Sequence, residues 1–203
     1  MADTAKSLPF DPGAFDQRVF LHSVSWSQFE TMLAIRGDHG GVRFTYLEGA
    51  LELMSPSQSH ESDKTKLARL IEAYSEERGI ELEGFGSWTI KNELRERGVE
   101  PDECYMIGPI TGELERPDLA IEIVYTSFGI DKLMVYQGLE VPEVWFFERG
   151  RLAFYRLERG GYVAATHSAL LPDFDPALIV RCMEASTQTE AVRQLRATLR
   201  SQR

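Results

Sequence analysis

The sequence predicts a mixed α/β domain, and two segments in the second half of the chain carry most of that prediction. Leu119–Val124 is apolar apart from Glu122, as expected for a strand that is covered on both faces. Downstream, residues 132–139 place apolar side chains at the i+3, i+4 and i+7 positions of one helix face. A second apolar strand follows at residues 143–147, so the order strand, helix, strand indicates a βαβ unit.

The other elements follow from caps, turns and periodicity. Ser25 or Ser27 can cap a first helix that stops at Gly37, the Glu48-Gly49 pair predicts a hairpin turn, and Gly79 closes a long second helix. In chain order we expect a helix over residues 28–35, strands over 42–46 and 50–54, a helix over 60–78, strands over 80–83, 88–91, 104–107 and 119–124, a helix over 129–139, strands over 143–147, 152–157 and 162–165, and helical structure from 175 to 203.

Composition narrows the class of protein. A chain of 203 residues with 43% hydrophobic content can form one domain, which we place at residues 25–185, between an N-terminal extension (1–24) and a basic, exposed helical tail (186–203). No apolar run approaches the roughly 20 residues of a membrane span, and the N-terminus resembles no export signal, so we expect a cytosolic protein. The two cysteines and four histidines have no zinc-binding spacing.

Charge and aromatic content argue against a broad nucleic-acid surface. The net charge of −10 disfavours extended phosphate binding, which depends on clustered Lys and Arg, so work on nucleic acid would need a metal or a local basic patch. Trp145, Phe146 and Phe147 could stack on bases, but consecutive strand residues face opposite sides, and we interpret them mainly as core.

Glu122 and Lys132 are the first candidate functional residues. A carboxylate in the middle of an apolar strand is costly to bury unless it is paired or binds a cation. Lys132 lies on the apolar stripe of the following helix and should point toward the same interior. The alternative interpretations are a structural ion pair, or a lysine that extends from the helix start to solvent.

Five segments together resemble the Uma2 family of restriction-type endonucleases over about residues 25–184: LELMSPSQSH, EPDECYMI, RPDLAIEIVYTS, DKLMVYQGLEVPEVWFFE and LLPDF. The resemblance implies the restriction-endonuclease-like PD-(D/E)XK fold, a mixed β-sheet with an αβββαβ core flanked by helices. It also implies a Mg²⁺- or Mn²⁺-dependent endonuclease that hydrolyses phosphodiester bonds of nucleic acid, with DNA favoured over RNA. A homodimer would supply the two sites that a double-strand cut needs.

Asp102, Asp118 and Glu122 are the candidate metal ligands. Asp118 and Glu122 share a strand face, but four residues of strand separate them by about 13 Å. Asp102 starts the preceding strand, and antiparallel pairing would bring it opposite Glu122. We therefore favour Asp102 with Glu122, and Asp118 is the second candidate. Both aspartates follow a proline, so each is alternatively a turn residue.

The nuclease signature places a lysine two residues after the strand acid, where this chain has Val124. The resemblance instead assigns that role to Lys132, which precedes Tyr136 by four residues and would orient the attacking water or stabilise charge on the phosphate. A short loop over residues 125–128 would let this helix begin close to the end of the strand.

The long helix adds the remaining candidates. Glu61 could reach the metal site directly or through water, and His60 could carry a proton or orient the carboxylates. Alternatively, His60 is a half-buried structural histidine, and Glu61 simply suits a helix N-terminus. Lys64 and Lys91 are candidate nucleic-acid contacts, although Lys91 is alternatively an exposed strand-end charge.

Two other functions compete with the nuclease. The acidic charge and the missing in-strand lysine also suit a catalytically idle module that keeps the nuclease fold and acts through a protein or nucleic-acid partner. A different phosphodiester or small-molecule hydrolase is the third alternative.

Overall fold

Two β-sheets and five helices make up the described part of the computed structural model, which covers residues 15–37, 41–125 and 129–202. The helices are α1 (Trp26–Arg36), α2 (Gln58–Arg78), α3 (Lys132–Gly138), α4 (Pro176–Met183) and α5 (Gln188–Ser201). The strands are β1 (Gln17–Leu21), β2 (Arg43–Leu47), β3 (Ala50–Ser55), β4 (Leu82–Gly84), β5 (Ile90–Asn92), β6 (Arg97–Val99), β7 (Glu103–Ile107), β8 (Leu119–Val124), β9 (Glu143–Glu148), β10 (Arg151–Glu158) and β11 (Gly161–Ala165).

The smaller sheet has the antiparallel order β1-β3-β2-β6-β5 and packs against α1. The predicted hairpin joins β2 and β3, and Glu48 and Gly49 both have positive φ, 44° and 87°, as a type I′ turn requires. Ser25 caps α1 in a capping box with Gln28, so the helix begins two residues earlier than expected.

The larger sheet has the order β11-β10-β9-β8-β7-β4 and contains the predicted core. Strands β4, β7 and β8 pair antiparallel, and β8 then connects through α3 to β9, which lies parallel to it. Together with α2, these elements run in the αβββαβ order. The prediction of a mixed α+β fold with this core is therefore confirmed.

Different helices pack against the two faces of the larger sheet. Helices α2, α4 and α5 bury one face, where Leu119, Ile121 and Ile123 of β8 join the main hydrophobic cluster. On the other face, Ala120 of β8 packs with α3, which also contacts β2 and β6 of the smaller sheet. Helix α3 therefore lies between the two sheets.

The contact between α3 and β6 is close. Gly138, near the end of α3, lies against the side chain of Arg97 on β6, and a Cβ at Gly138 would come within 2.6 Å of Cγ of Arg97. Glycine thus lets the helix approach the smaller sheet at this point, since any larger residue would have to displace the arginine.

Some elements differ from the prediction. Strands β1 and β6 were missed, because an edge strand and a three-residue strand carry little periodic signal. Helix α3 begins at Lys132 rather than at residue 129, because the side chain of Asp131 caps it. Residues 126–128 of the expected loop lie outside the described residues. None of the described helices is long and apolar enough to span a membrane.

Both segments that were predicted to flank the domain contribute to its fold. Strand β1, within the expected extension, pairs with β3, and α5, within the expected tail, packs against α2. The prediction of an exposed tail is wrong for one face of α5, because Leu195 and Leu199 join the main core. Beside these leucines, Arg196 and Arg200 form ion pairs with Glu77 of α2.

The docking of α5 gives a stability prediction. Leu195→Ala removes a fully buried side chain and should lower the free energy of unfolding by about 2–5 kcal/mol, because the transfer and cavity terms add. Arg193→Ala, on the exposed side of α5, should change it by no more than about 0.5 kcal/mol. Urea unfolding of both variants measures the difference. Equal, small losses would show that α5 does not belong to the core.

Candidate active site

Asp102 and Glu122 occupy facing positions on two antiparallel strands. The register of β7 and β8 pairs Glu103 with Ile121, so the next position outward sets Asp102 against Glu122. The backbone N–H of Ile123 donates to Oδ2 of Asp102 at 2.6 Å, which fixes the carboxylate against β8. Both side chains are almost entirely buried, with exposed fractions of 0% and 1%.

Glu122 is held by two residues of α3. Nζ of Lys132 lies 2.5 Å from Oε2, and the hydroxyl of Tyr136, one turn later, donates to Oε1 at 2.5 Å. Burial raises the pKa of Glu122, and the charge of Asp102 raises it further, although the Lys132 ammonium opposes both effects. Glu122 is therefore a carboxylate that depends on nearby positive charge to stay ionised.

The position of Lys132 is set by the segment in front of α3. The side chain of Asp131 caps the helix, and the N–H of Ile130 donates to Oε2 of Glu52 at 2.9 Å. Glu52 is buried on β3 and also forms an ion pair with Arg18 at 2.5 Å. The smaller sheet thus anchors the helix start that carries Lys132.

Asp102 sits among cations. Nη1 of Arg43 forms an ion pair with Oδ1, and Nε2 of His60 lies 2.9 Å from Oδ2. Burial opposes ionisation, but the hydrogen bond with His60 and the charges of Arg43 and Lys132 outweigh it and hold the pKa of Asp102 well below its usual range. Asp102 and Glu122 therefore differ in pKa although they face each other.

His60 bridges two carboxylates. Its Nδ1 lies 3.0 Å from Oδ2 of Asp16, whose other oxygen accepts the N–H of Ser57 at 2.8 Å. Burial alone would lower the pKa of His60, but hydrogen bonds and charge interactions with Asp102 and Asp16 raise it to about 9. The ring is fully buried at the first turn of α2, between Asp102 at the start of β7 and Asp16 in front of β1.

Glu61 and Lys64 lie at the edge of this cluster. Oε1 of Glu61 is 2.5 Å from Nη2 of Arg43, and its Oε2 is 2.6 Å from Nζ of Lys64. Glu61 therefore joins the cluster through Arg43, and about 40% of its side chain is exposed. The structure places Lys64 beside the candidate site.

Asp118 and Lys91 are placed elsewhere. Asp118 precedes β8, and its Oδ2 accepts the N–H of Ile107 at 2.9 Å, so it terminates the pairing of β7 with β8. Four residues of regular strand, about 13 Å, separate it from Glu122. Lys91 lies on β5 and forms an ion pair with Glu30 at 2.8 Å. The structure does not bring either residue to the Asp102–Glu122 pair.

Two residues of the cluster were not found from the sequence. Asp16 lies in a segment without a motif, and Arg43 looked like an ordinary strand residue. Arg43 offered one signal, since an arginine preceding the apolar run of a predicted strand must find carboxylates if it is buried. No comparable signal marked Asp16.

A cavity of about 500 Å³ adjoins the pair on the α3 side of the larger sheet. Glu122 and Lys132 form part of its lining, so both can meet a molecule bound there. Asp102 lies behind them and makes its contacts with Arg43, His60 and the backbone of β8.

The carboxylate pair fits a hard divalent cation by its chemistry. Among the described residues, no group of three or more His, Cys, Asp or Glu side chains is arranged to hold a metal ion. Mg²⁺, however, usually keeps several waters and takes one or two carboxylates together with substrate phosphate. Asp102 and Glu122 supply two carboxylates at facing strand positions, which suits such an ion.

Comparison with known families agrees with this architecture. The profile of Uma2, described as a putative restriction endonuclease, matches residues 26–184, most of the chain. The chain belongs to the Uma2 family. The match contains α1, both sheets apart from β1, and every site residue except Asp16.

One similar chain is found among solved structures. It is a crystal structure of a putative nuclease belonging to DUF820 from Anabaena variabilis ATCC 29413. The two chains share 17% sequence identity with a TM-score of 0.45, over 75% of this chain and 90% of that one. A search of curated proteins finds no match.

The raised pKa of His60 predicts a pH-dependent stability for this Uma2 protein. Its folded-state value of about 9 lies above the ordinary 6.5, so its contribution is complete below pH 6.5 and is lost as the pH rises through 9. The loss is up to about 3 kcal/mol in the free energy of unfolding. Urea unfolding between pH 6 and 10, in the presence of a metal chelator, measures this loss.

His60→Gln is the control for this measurement. The variant has no ionisable ring, so it should lack the loss of stability that His60 contributes as the pH rises, and the difference between the two profiles isolates that loss. A wild-type profile parallel to that of His60→Gln would contradict a charged histidine between Asp16 and Asp102.

Proposed function

We propose that this protein is a Mg²⁺- or Mn²⁺-dependent endonuclease that hydrolyses phosphodiester bonds of nucleic acid. The observation that carries the proposal is that Asp102 and Glu122 face each other and are both buried, and that Lys132 forms an ion pair with Glu122. Membership of the Uma2 family supports the class of reaction, and its description as a restriction endonuclease favours DNA over RNA.

Asp102 and Glu122 are the proposed metal ligands. When bound, the divalent ion supplies activation of water and neutralisation of charge at the phosphate. Arg43 and His60 stabilise the charge of Asp102 and hold its pKa low, whereas burial holds the pKa of Glu122 above its usual value. Because a metal-binding carboxylate must be deprotonated, cation binding should strengthen as the pH rises through the pKa of Glu122.

Lys132 is the proposed catalytic lysine. Its ammonium lies 2.5 Å from Glu122, and both residues line the cavity, so it can orient the attacking water or stabilise negative charge on the phosphate. Lys132 comes from the helix after β8, and the strand position of the usual nuclease lysine is occupied by Val124. Asp131 and Glu52 hold this helix start in place.

His60, Arg43 and Glu61 are proposed to position the carboxylates. His60 and Arg43 both contact Asp102, and Arg43 joins Glu61 to it. Lys64, which pairs with Glu61, is a proposed contact for phosphate outside the cavity.

A catalytically idle module is the second candidate function. The observation that favours it is that all four carboxylate oxygens of Asp102 and Glu122 already accept hydrogen bonds or ion pairs from the protein. A site that satisfies itself in this way needs no metal for stability. In the nuclease Lys132 takes part in cleavage, whereas in the idle module it is only the ion-pair partner of Glu122.

Substitution of Lys132 separates the two functions. Lys132→Met should lower Mg²⁺-dependent cleavage by roughly 10²–10³-fold, because it removes a charge aimed at the reacting phosphate. Glu122→Gln should lower it by a similar factor. Both variants should stay folded, since Glu122 can take up a proton when Lys132 is absent. Cleavage of labelled single-stranded and plasmid DNA with Mg²⁺, Mn²⁺ or chelator measures the effect, beside melting temperatures.

Arg193→Met is the matched control, since it removes a cation from the exposed face of α5. It should cleave at the wild-type rate. Wild-type protein that cuts nothing with either metal would support the idle module. Cleavage that survives both Lys132→Met and Glu122→Gln would show that the active site lies elsewhere.

A further inference from the structure

The cavity beside Glu122 extends away from α3 across three strands. The parallel register of β8 and β9 sets Glu122 next to Phe146, and the antiparallel register of β9 and β10 sets Phe146 next to Ala153. Side chains at such paired positions point to the same face of the sheet, and each step is about 5 Å. Phe146 and Ala153 therefore continue the face that carries the proposed site.

Aromatic and apolar surfaces form much of the cavity lining. Phe146 and Tyr155 meet edge to face, with ring centroids 5.6 Å apart, and both rings are half-buried, which leaves part of each accessible. Ala153 is small and exposed beside Phe146, and Met54 and Leu133 add further apolar lining. Phe146 was expected to belong mainly to the core, and it does pack against the cluster around α3, but it is only half-buried, whereas Trp145 and Phe147 are buried in the main cluster.

Charged side chains of both signs line the same cavity. Lys132, Arg18 and Arg151 all line it, in a chain whose net charge is −10. The acidic lining residues are Asp131, which caps α3, Glu148 and Glu122 itself. A flat planar group with a phosphate attached would meet aromatic rings at one end and Lys132 at the other.

We infer that this cavity binds one unpaired nucleobase of a single-stranded nucleic acid, next to the phosphate that is cleaved. The inference rests on the proposed function and narrows its substrate. A base in a duplex hides its faces in the stack, so a ring-lined pocket of about 500 Å³ can receive it only when it is unpaired. Stacking on aromatic side chains also supplies affinity that an acidic protein cannot obtain from a long row of phosphates.

Binding of defined oligonucleotides tests the inference. The probes are fluorescently labelled 12-mers of one mixed sequence, as single-stranded DNA, single-stranded RNA and duplex DNA, with Ca²⁺ replacing Mg²⁺ so that binding is read separately from cleavage. Tyr155→Ala should weaken single-strand binding about ten-fold, because a stacking partner is lost. Ala153→Trp fills the cavity and should weaken it at least as much.

Val163→Trp and Val163→Ala are the matched controls. Val163 on β11 pairs with Arg156, so it lies on the opposite face from Tyr155, and it is also exposed. Both control variants should bind the single strands as the wild type does. Melting temperatures of all four variants verify that each is folded.

The outcomes separate this inference from the proposed reaction. Equal single-strand affinity in wild type, Tyr155→Ala and Ala153→Trp would overturn it, as would tighter binding of the duplex than of either single strand. Loss of single-strand binding in the two cavity variants supports it even if no metal gives cleavage, in which case only the hydrolytic function fails. The DNA and RNA arms show which sugar the pocket prefers, and a preference for either supports the pocket.

Discussion

Two carboxylates that face each other inside a β-sheet impose the main constraint on this structure. Neither Asp102 nor Glu122 could stay buried and charged alone, because desolvation and mutual repulsion both oppose ionisation. Three cationic side chains pair with these carboxylates: Arg43 from β2, His60 from α2 and Lys132 from α3. The relative positions of the two sheets and two helices therefore depend on satisfying this pair.

The two carboxylates have different partners, and their pKa values therefore shift in opposite directions. Asp102 receives a guanidinium, an imidazole and a backbone N–H, so its pKa falls, while Glu122 receives one ammonium and one phenol, and its pKa rises. Two carboxylates with separated pKa values can perform two tasks within one site. Asp102 is suited to fixed electrostatic work, and Glu122 is suited to respond to a cation or a substrate in the adjoining cavity.

The sequence predicts the elements that have strong periodicity and the contacts that follow from strand pairing. The strand Leu119–Val124 was predicted with its observed bounds, and the antiparallel pairing that sets Asp102 against Glu122 follows from adjacent strands. Arg43 and Asp16 were not predicted, because they reach His60 and Asp102 from segments that are distant in sequence, and only Arg43, inside a predicted apolar strand, carried any signal. The packing of α5 was also missed, since its alternating arginines concealed the buried stripe of Leu195 and Leu199.

The place of α3 between the two sheets lets the smaller sheet support the candidate active site. Glu52 of β3 holds the segment before the helix, and Gly138 brings the helix end against Arg97 of β6, so α3 is gripped at both ends by one sheet. Glu122, in contrast, belongs to the other sheet. A rotation of one sheet against the other would thus act as a lever on a single distance, the one between the ammonium of Lys132 and its carboxylate. Residues of the smaller sheet that do not touch Glu122 thus help to set how accurately Lys132 points at it.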